Sequence, residues 1–274
     1  MSITWIASYP KSGNTWVRAF LSNYLTRSVE PVGINQLIGQ SVHMDRFLFD
    51  ETMAVPSDLL DDGELAELRQ LFLAQLSQTV SDPGFVKTHD CGGASDTGNS
   101  TFGMLSGGNR AIYLVRDPLD VAVSFAHHRN EPVDDVIALM RSPDAVLRGG
   151  RLFFDETLGR WGDHVDNWTD QRRSNVCVIR YEDLIDAPAE SFTRLLDFCG
   201  LESDEKRVAQ AVDFARFEAL QKSEKQSGFD EKQSTASSFF RRGQKGSWRS
   251  ALTRAQIETV IRDHEATMAR FGYI

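Results

Sequence analysis

The order of apolar and polar residues changes period several times along the chain. Thr4 to Ser8 is a short apolar run that ends in Tyr9-Pro10-Lys11-Ser12-Gly13, the pattern of a strand running into a tight loop. Val17, Phe20, Leu21 and Tyr24 then recur at helical spacing and predict a helix over 14–25. Residues 30–50 show neither period. Leu65, Leu68, Leu71, Phe72 and Leu76 predict an amphipathic helix over 64–80, and residues 84–89 read as a strand. Residues 90–109, rich in Gly, Ser, Asn and Thr, predict a loop. Ala111 to Val115 is apolar at every position, as in a strand buried on both faces. Pro118 opens a helix to about Arg129. Leu158, Trp161, Val165 and Trp168 mark another helix, with both tryptophans in the core. Residues 176–180 form a further buried strand, and helices follow over 188–199 and 204–222. Residues 223–247 are polar and predict a flexible lid. A last helix starts at Thr253, where Thr253 and Gln256 make a capping-box pattern, with Ile257, Ile261, Met268 and Phe271 on one face.

Strands alternating with helices predict an α/β fold: a parallel sheet flanked by helices on both faces, as a single domain over 1–274. Ligands of such sheets bind beyond the carboxyl ends of the strands. That rule puts the loops after Ser8, Thr88 and Val115 at the site.

Composition narrows the ligand. The chain has 274 residues and a formal net charge of −9, so a general nucleic-acid binder is not expected. The charge is uneven, however. Residues 1–29 contain no acid and carry Lys11, Arg18 and Arg27. Residues 232–257 contain none either and carry Lys232, Arg241, Arg242, Lys245, Arg249 and Arg254. Two such windows predict a meeting around an anionic ligand. The three cysteines are scattered, with no CxxC or Cys/His cluster, so neither a disulfide framework nor a metal site is expected. Reduced thiols, no signal peptide and no apolar run of membrane length suggest a cytoplasmic protein without a membrane span.

Tyr9-Pro10-Lys11-Ser12-Gly13-Asn14-Thr15-Trp16 lies between the first strand and the first helix. Backbone amides and a helix N-terminus there suit an anion, although a plain Pro-Gly turn remains the alternative. Lys11 precedes Gly13, which is not the order of a Walker loop. The segment closely resembles the nucleotide loop of sulfotransferases that use 3′-phosphoadenosine 5′-phosphosulfate (PAPS). Three further segments resemble the same family in the same order. They are Lys87-Thr88-His89, Arg116-Asp117-Pro118-Leu119-Asp120-Val121-Ala122-Val123-Ser124, and Arg241-Arg242-Gly243 followed by Gly246-Ser247-Trp248.

The resemblance implies a P-loop-type fold and PAPS as donor, with 3′-phosphoadenosine 5′-phosphate (PAP) as product. Lys11, Ser12, Gly13, Asn14, Thr15 and Trp16 would serve the 5′ end. Arg116 and Ser124 would serve the 3′-phosphate, with Arg241, Arg242 and Gly243 closing over it, Tyr181 near the adenine and Trp16 stacked on it. His89 would be the base that takes the acceptor's proton, and Lys11 would stabilise the bridging oxygen of the leaving group. No metal is implied, since cations and amides already hold the phosphates. The acceptor is expected to be a hydroxyl of a small molecule, natural product or glycan, lined by residues from 30–80 and 127–160. The opening segment is also similar to bacterial sulfotransferases that modify natural products. His127 and His128 are expected to be structural, and His43 is given no role.

Some positions depart from the family pattern. Asp90 follows His89 where many relatives have Leu-Pro, Arg242 replaces Lys, and Ser247 replaces Asp. The family's dimer signature falls on Arg249, Thr253, Arg254 and Glu258 with Arg in place of Val, which leaves a dimer unsupported. Two other readings compete: a P-loop small-molecule kinase, and a nucleotide-binding protein without activity.

Overall fold

A computed structural model describes residues 2–27, 29–79, 84–92, 104–105, 108–170, 174–232, 238–241 and 243–274. In chain order the elements are β1 (Ile3–Ser8), α1 (Asn14–Thr26), α2 (Arg46–Met53), α3 (Asp62–Thr79), β2 (Gly84–Thr88), β3 (Arg110–Val115), α4 (Pro118–Arg129) and α5 (Val133–Met140). There follow β4 (Val146–Leu147), β5 (Glu156–Thr157), α6 (Trp161–Trp168), β6 (Val176–Arg180), α7 (Tyr181–Asp186), α8 (Pro188–Phe198), α9 (Glu205–Phe214), α10 (Phe217–Ser227) and α11 (Arg254–Arg270).

Four strands form a parallel sheet in the order β2-β1-β3-β6. Alternation along each strand feeds two separate cores. Trp5, Ala7, Ala111 and Tyr113 point to one face and pack with residues of α4, α5, α6 and α11. Ile6, Ile112, Leu114 and Ile179 point to the other and pack with residues of α1, α8 and α9. This is why β1 and β3 carry apolar residues almost without interruption, and it bears out the expected parallel α/β architecture. Trp161 and Trp168 are buried in the first core, as expected. Thr253 and Gln256 close a reciprocal capping box on α11.

Several elements differ from the sequence reading. The single helix over 204–222 is two helices, α9 and α10, because Arg216 adopts an extended conformation (φ −56°, ψ 147°). Neither Gly nor Pro marks that break. The turn aims Phe217 and Leu220 at the cavity described below. Leu71 of α3 is 57% exposed, so the buried stripe of that helix is carried by Phe72 and Leu76. The short helix α7 directly follows β6 with no boundary signal. Most of the loop expected over 90–109 lies outside the described residues. Within 223–247, Phe229 and Phe240 are buried, and the Glu224 carboxylate accepts the N–H groups of Phe239 and Phe240 at 2.6 and 2.9 Å, while residues 225–228, 230, 244 and 245 are exposed. Residues 233–237 and Arg242 lie outside the described set.

Candidate active site

At the carboxyl end of the sheet, a cavity of about 570 Å³ opens over β1, β2 and β3. Its floor is the loop from Tyr9 to Asn14. Asn14 ties the loop down, donating from Nδ2 to the Ile6 carbonyl at 2.8 Å and to Ser8 Oγ at 3.3 Å. Lys11 sits in the left-handed region at φ 68°, a conformation that costs a non-glycine residue ~1–3 kcal/mol. Gly13 is at φ +107°, and a Cβ there would lie 2.8 Å from the Tyr181 ring, so only glycine fits. Helix α1 then begins without a side-chain cap, leaving its first N–H groups turned toward the loop. Ser12 Oγ and Trp16 Nε1 are buried with no hydrogen-bond partner among the described residues. A buried polar atom without a partner is costly, and Trp16 Nε1 lies where a polar ligand in the cavity would satisfy it.

Arg116, at the end of β3, ties the other segments to this floor. It donates to the Lys11 carbonyl at 3.0 Å and to the Gln244 carbonyl at 3.1 Å, and its guanidinium lies 4.2 Å from the centre of the Tyr181 ring. Arg116 Nε has no partner among the described residues. The first turn of α4 holds the C-terminal segment. Asp120 accepts the N–H groups of Gly246 and Trp248 at 2.6 and 3.1 Å, and Asp117 accepts Trp248 Nε1–H at 3.0 Å. Gly243 is at φ +59°, and a Cβ there would lie 2.2 Å from the Phe217 ring. The two sequence segments that supplied separate motifs are therefore hydrogen-bonded to each other.

Lys11 and Arg241, one from each acid-free window, line the same cavity. The Lys11 ammonium rests 3.7 Å from the centre of the Phe239 ring. Burial, reinforced by Arg116 and Lys87, pulls its pKa down to about 7. Not every cation of those windows belongs to the site. Arg18 is fully buried on α1 and pairs with Glu231 at 2.5 Å, and Lys245 pairs with Asp186.

His89 lies one residue beyond β2. Its Nδ1 is 2.7 Å from the Ser8 carbonyl, an oxygen that can only accept, so Nδ1 carries the hydrogen and Nε2 is left with a bare lone pair. Burial, with Lys87 nearby, pushes its pKa well below the ordinary histidine value, so the ring is neutral. Lys87 itself is held by Glu231 at 2.8 Å.

Of the residues singled out from sequence, Lys11, Gly13, Asn14, Thr15, Trp16, His89, Arg116, Ser124, Tyr181, Arg241 and Gly243 line this cavity. Ser12 lies beneath the loop surface, and Arg242 is outside the described residues. His127 and His128 also line the cavity, which corrects their assignment to structure alone. Burial, with Lys11 and Lys87 close by, lowers the pKa of His128 to about 3. His43 does not line it; its ring packs edge-on to Trp5 at 4.9 Å. Sequence reasoning missed Glu231, Phe239, Glu156 and His164. Only Phe239, two residues before Arg241, lay near a recognised motif. No helix among the described residues is long and apolar enough to cross a membrane.

Comparison with known proteins places this geometry. Cytosolic sulfotransferase 17 of Arabidopsis thaliana is 24% identical over 273 residues, covering 93% of this chain and 71% of its own. Two crystal structures of retinol dehydratase, one with androsterone and inactive cofactor PAP and one with retinol and PAP, share the fold. Each has a TM-score of 0.64 at 20% identity and covers 97% of this chain, and the alignments take in 80% and 81% of their own chains. The model of the sulfotransferase domain matches residues 2–272, almost every element described above, and the chain belongs to that family.

Proposed function

We propose that the protein transfers the sulfuryl group of PAPS to a hydroxyl of a small-molecule acceptor, with His89 as the base. The observation that carries this reading is the neutral His89 ring, whose Nε2 lone pair shares a cavity with Lys11 and Arg116. The retinol dehydratase structures, bound to PAP with androsterone or retinol, support PAPS as the donor and a small molecule as the acceptor. The chain's own residues fit that donor. Trp16 Nε1 and Arg116 Nε, on residues that line the cavity, are buried and unpartnered among the described residues, and the uncapped start of α1 offers N–H groups to a phosphate.

Bound there, the donor supplies an activated sulfuryl group, already attached to a phosphate that can leave. His89 Nε2 takes the acceptor's proton as the new oxygen–sulfur bond forms, and Nδ1–H keeps the ring oriented through Ser8. Lys11 stabilises the negative charge that grows on the oxygen of the departing phosphate. Its pKa is lowered first by burial and then by the neighbouring Arg116 and Lys87, and an anion beside it would favour the charged form. Arg116, Ser124 and Arg241 hold the 3′-phosphate. Phe239 and Phe240, on the segment after α10, cover the cavity and exclude water.

Incubating the protein with radiolabelled PAPS and a panel of phenols, sugars and glycopeptides tests the activity. Label should pass to at least one hydroxyl compound, and His89→Ala should abolish most of the transfer while PAP still binds. Transfer to none of the panel overturns the hydroxyl-acceptor reading, and undiminished transfer by His89→Ala removes His89 as base.

A further inference from the structure

The strand ladder ends at Thr88, which stands opposite Ala7, so the backbone of His89 has no strand to bond. Side chains replace the ladder. Glu156 Oε1 accepts the His89 N–H at 2.6 Å. His164 Nε2 lies 3.0 Å from the His89 carbonyl. A carbonyl oxygen only accepts, so His164 carries its hydrogen on Nε2, and its Nδ1 is a bare acceptor. The Tyr113 hydroxyl, 2.8 Å from that Nδ1, therefore donates to it. One position further on, Trp168 Nε1–H donates to the Asp90 carbonyl at 2.9 Å. Helix α6 thus supplies the donors to two consecutive carbonyls, while the N–H groups are held by Glu156, by Thr88 Oγ1 at 3.1 Å and, at Cys91, by the Thr157 carbonyl at 2.8 Å. Together these bonds determine the direction in which the His89 side chain leaves the backbone. Ser8 then fixes the ring. Three of the four polar atoms of His89 are occupied, and Nε2 is the one that remains.

We propose that His164 is a positioning residue for His89, and that the Tyr113 hydroxyl selects the His164 tautomer able to do this. The inference rests on His89 being the base. His164 is fully buried and does not line the cavity, so it can reach the site only through its neighbours; its hydrogen bond goes to the His89 carbonyl, and its ring packs edge-on to Tyr9 at 5.3 Å. A leucine would fill the same volume between β3 and α6, but it has no hydrogen to give the His89 carbonyl. An imidazole with both nitrogens satisfied is what a buried donor at that distance requires.

The full chain with His164→Leu, His164→Gln or Tyr113→Phe provides the test. Glutamine carries an N–H near the place of His164 Nε2. His164→Leu should lower kcat about 100-fold, the cost of a small displacement of a reacting group, with KM for PAPS and PAP affinity unchanged. His164→Gln should regain most of that loss, and Tyr113→Phe should fall between. Long-range proton–nitrogen NMR of the free protein gives a readout independent of turnover. His89 should be a single Nδ1–H tautomer in the wild type and a mixture in His164→Leu. Unchanged kcat in a folded His164→Leu overturns the proposal. So does an equal loss of kcat and melting temperature in the Leu and Gln variants with the His89 tautomer intact. If His164→Leu fails to fold, Tyr113→Phe decides, since it removes one atom: wild-type kcat and tautomer there overturn the proposal. If His89→Ala is active, the base assignment itself fails. If His89→Ala is inactive and His164→Leu is fully active, only the positioning role fails.

Discussion

The two ends of the cavity are built differently. Around the loop after β1, which the proposed function assigns to the donor, Ser12 Oγ, Trp16 Nε1 and Arg116 Nε are buried without partners among the described residues, and α1 starts uncapped. Elsewhere around the cavity, at Lys87, Glu231 and Arg148, charges arrive already matched. Glu231 holds Lys87 and Arg18 together, and Arg148 is paired with Asp155 at 2.5 Å. Under the proposed function, the unmet hydrogen-bonding capacity of Trp16 and Arg116, which line the cavity, is what a polar, anionic ligand would satisfy. Matched charges mark where the protein holds its own shape and leaves recognition to the residues around them. His89 stands at the junction, with its backbone tied down and one ring nitrogen free.

Substitutions at each end should separate these roles. The largest effect is expected at the junction, where His89→Ala should cost ~10²–10⁴-fold in turnover, measured at saturating PAPS. Glu231→Gln should act on stability more than on donor binding. Glu231 keeps a quarter of its side chain exposed, so the loss should be about 2–3 kcal/mol, below the ~3–5 kcal/mol of a wholly buried broken pair. Its pKa is held down to about 2 by Lys87 and Arg18. The unfolded chain therefore takes up a proton near pH 4.5 that the folded chain refuses, and stability falls as pH drops from about 4.5 toward 2. Melting curves over that range should show a shallower fall in Glu231→Gln. A parallel fall in both proteins refutes the matched-pair account.

At the donor end, Arg116→Ala should weaken PAP binding about 10- to 100-fold by calorimetry, the value of one or two charge-assisted hydrogen bonds. Unchanged affinity removes Arg116 from the 3′-phosphate site. Gly243→Ala is milder. It asks the Cβ to enter the Phe217 ring at φ +59°, and should cost about 1–2 kcal/mol in stability and PAP affinity together. The smallest effect is salt. PAP affinity should fall a few-fold between low and physiological ionic strength, because the site binds through charge and is partly screened. A salt-independent affinity contradicts the contrast between the ends.

Much of this was legible in local sequence. Thr4 to Gly13 reads as strand and tight loop because the apolar run and the Pro-Lys-Ser-Gly turn are local chemistry. Arg116 and Ser124 bracket a strand-to-helix turn marked by Pro118. The break at Arg216 was not legible, since nothing in Phe214-Ala215-Arg216-Phe217 disfavours a helix and the cause is tertiary packing. His127 and His128 could be placed on α4, but which of its faces meets the cavity depends on the approach of Phe239, which packs edge-on to His128 at 5.5 Å.

By itself, the sequence determined the alternation of strands and helices, the tight loop after β1, and the presence of Lys11, His89 and Arg116 beyond the ends of strands. These are short-range properties, set by periodicity and by residues within one turn of each other. Only the tertiary structure decided which charges remain available. Glu231, 144 residues from Lys87, removes it from the free cations, and His164, 75 residues from His89, holds the His89 backbone. Hydrogen bonds and ion pairs depend on separation in space, and separation along the chain carries no record of it.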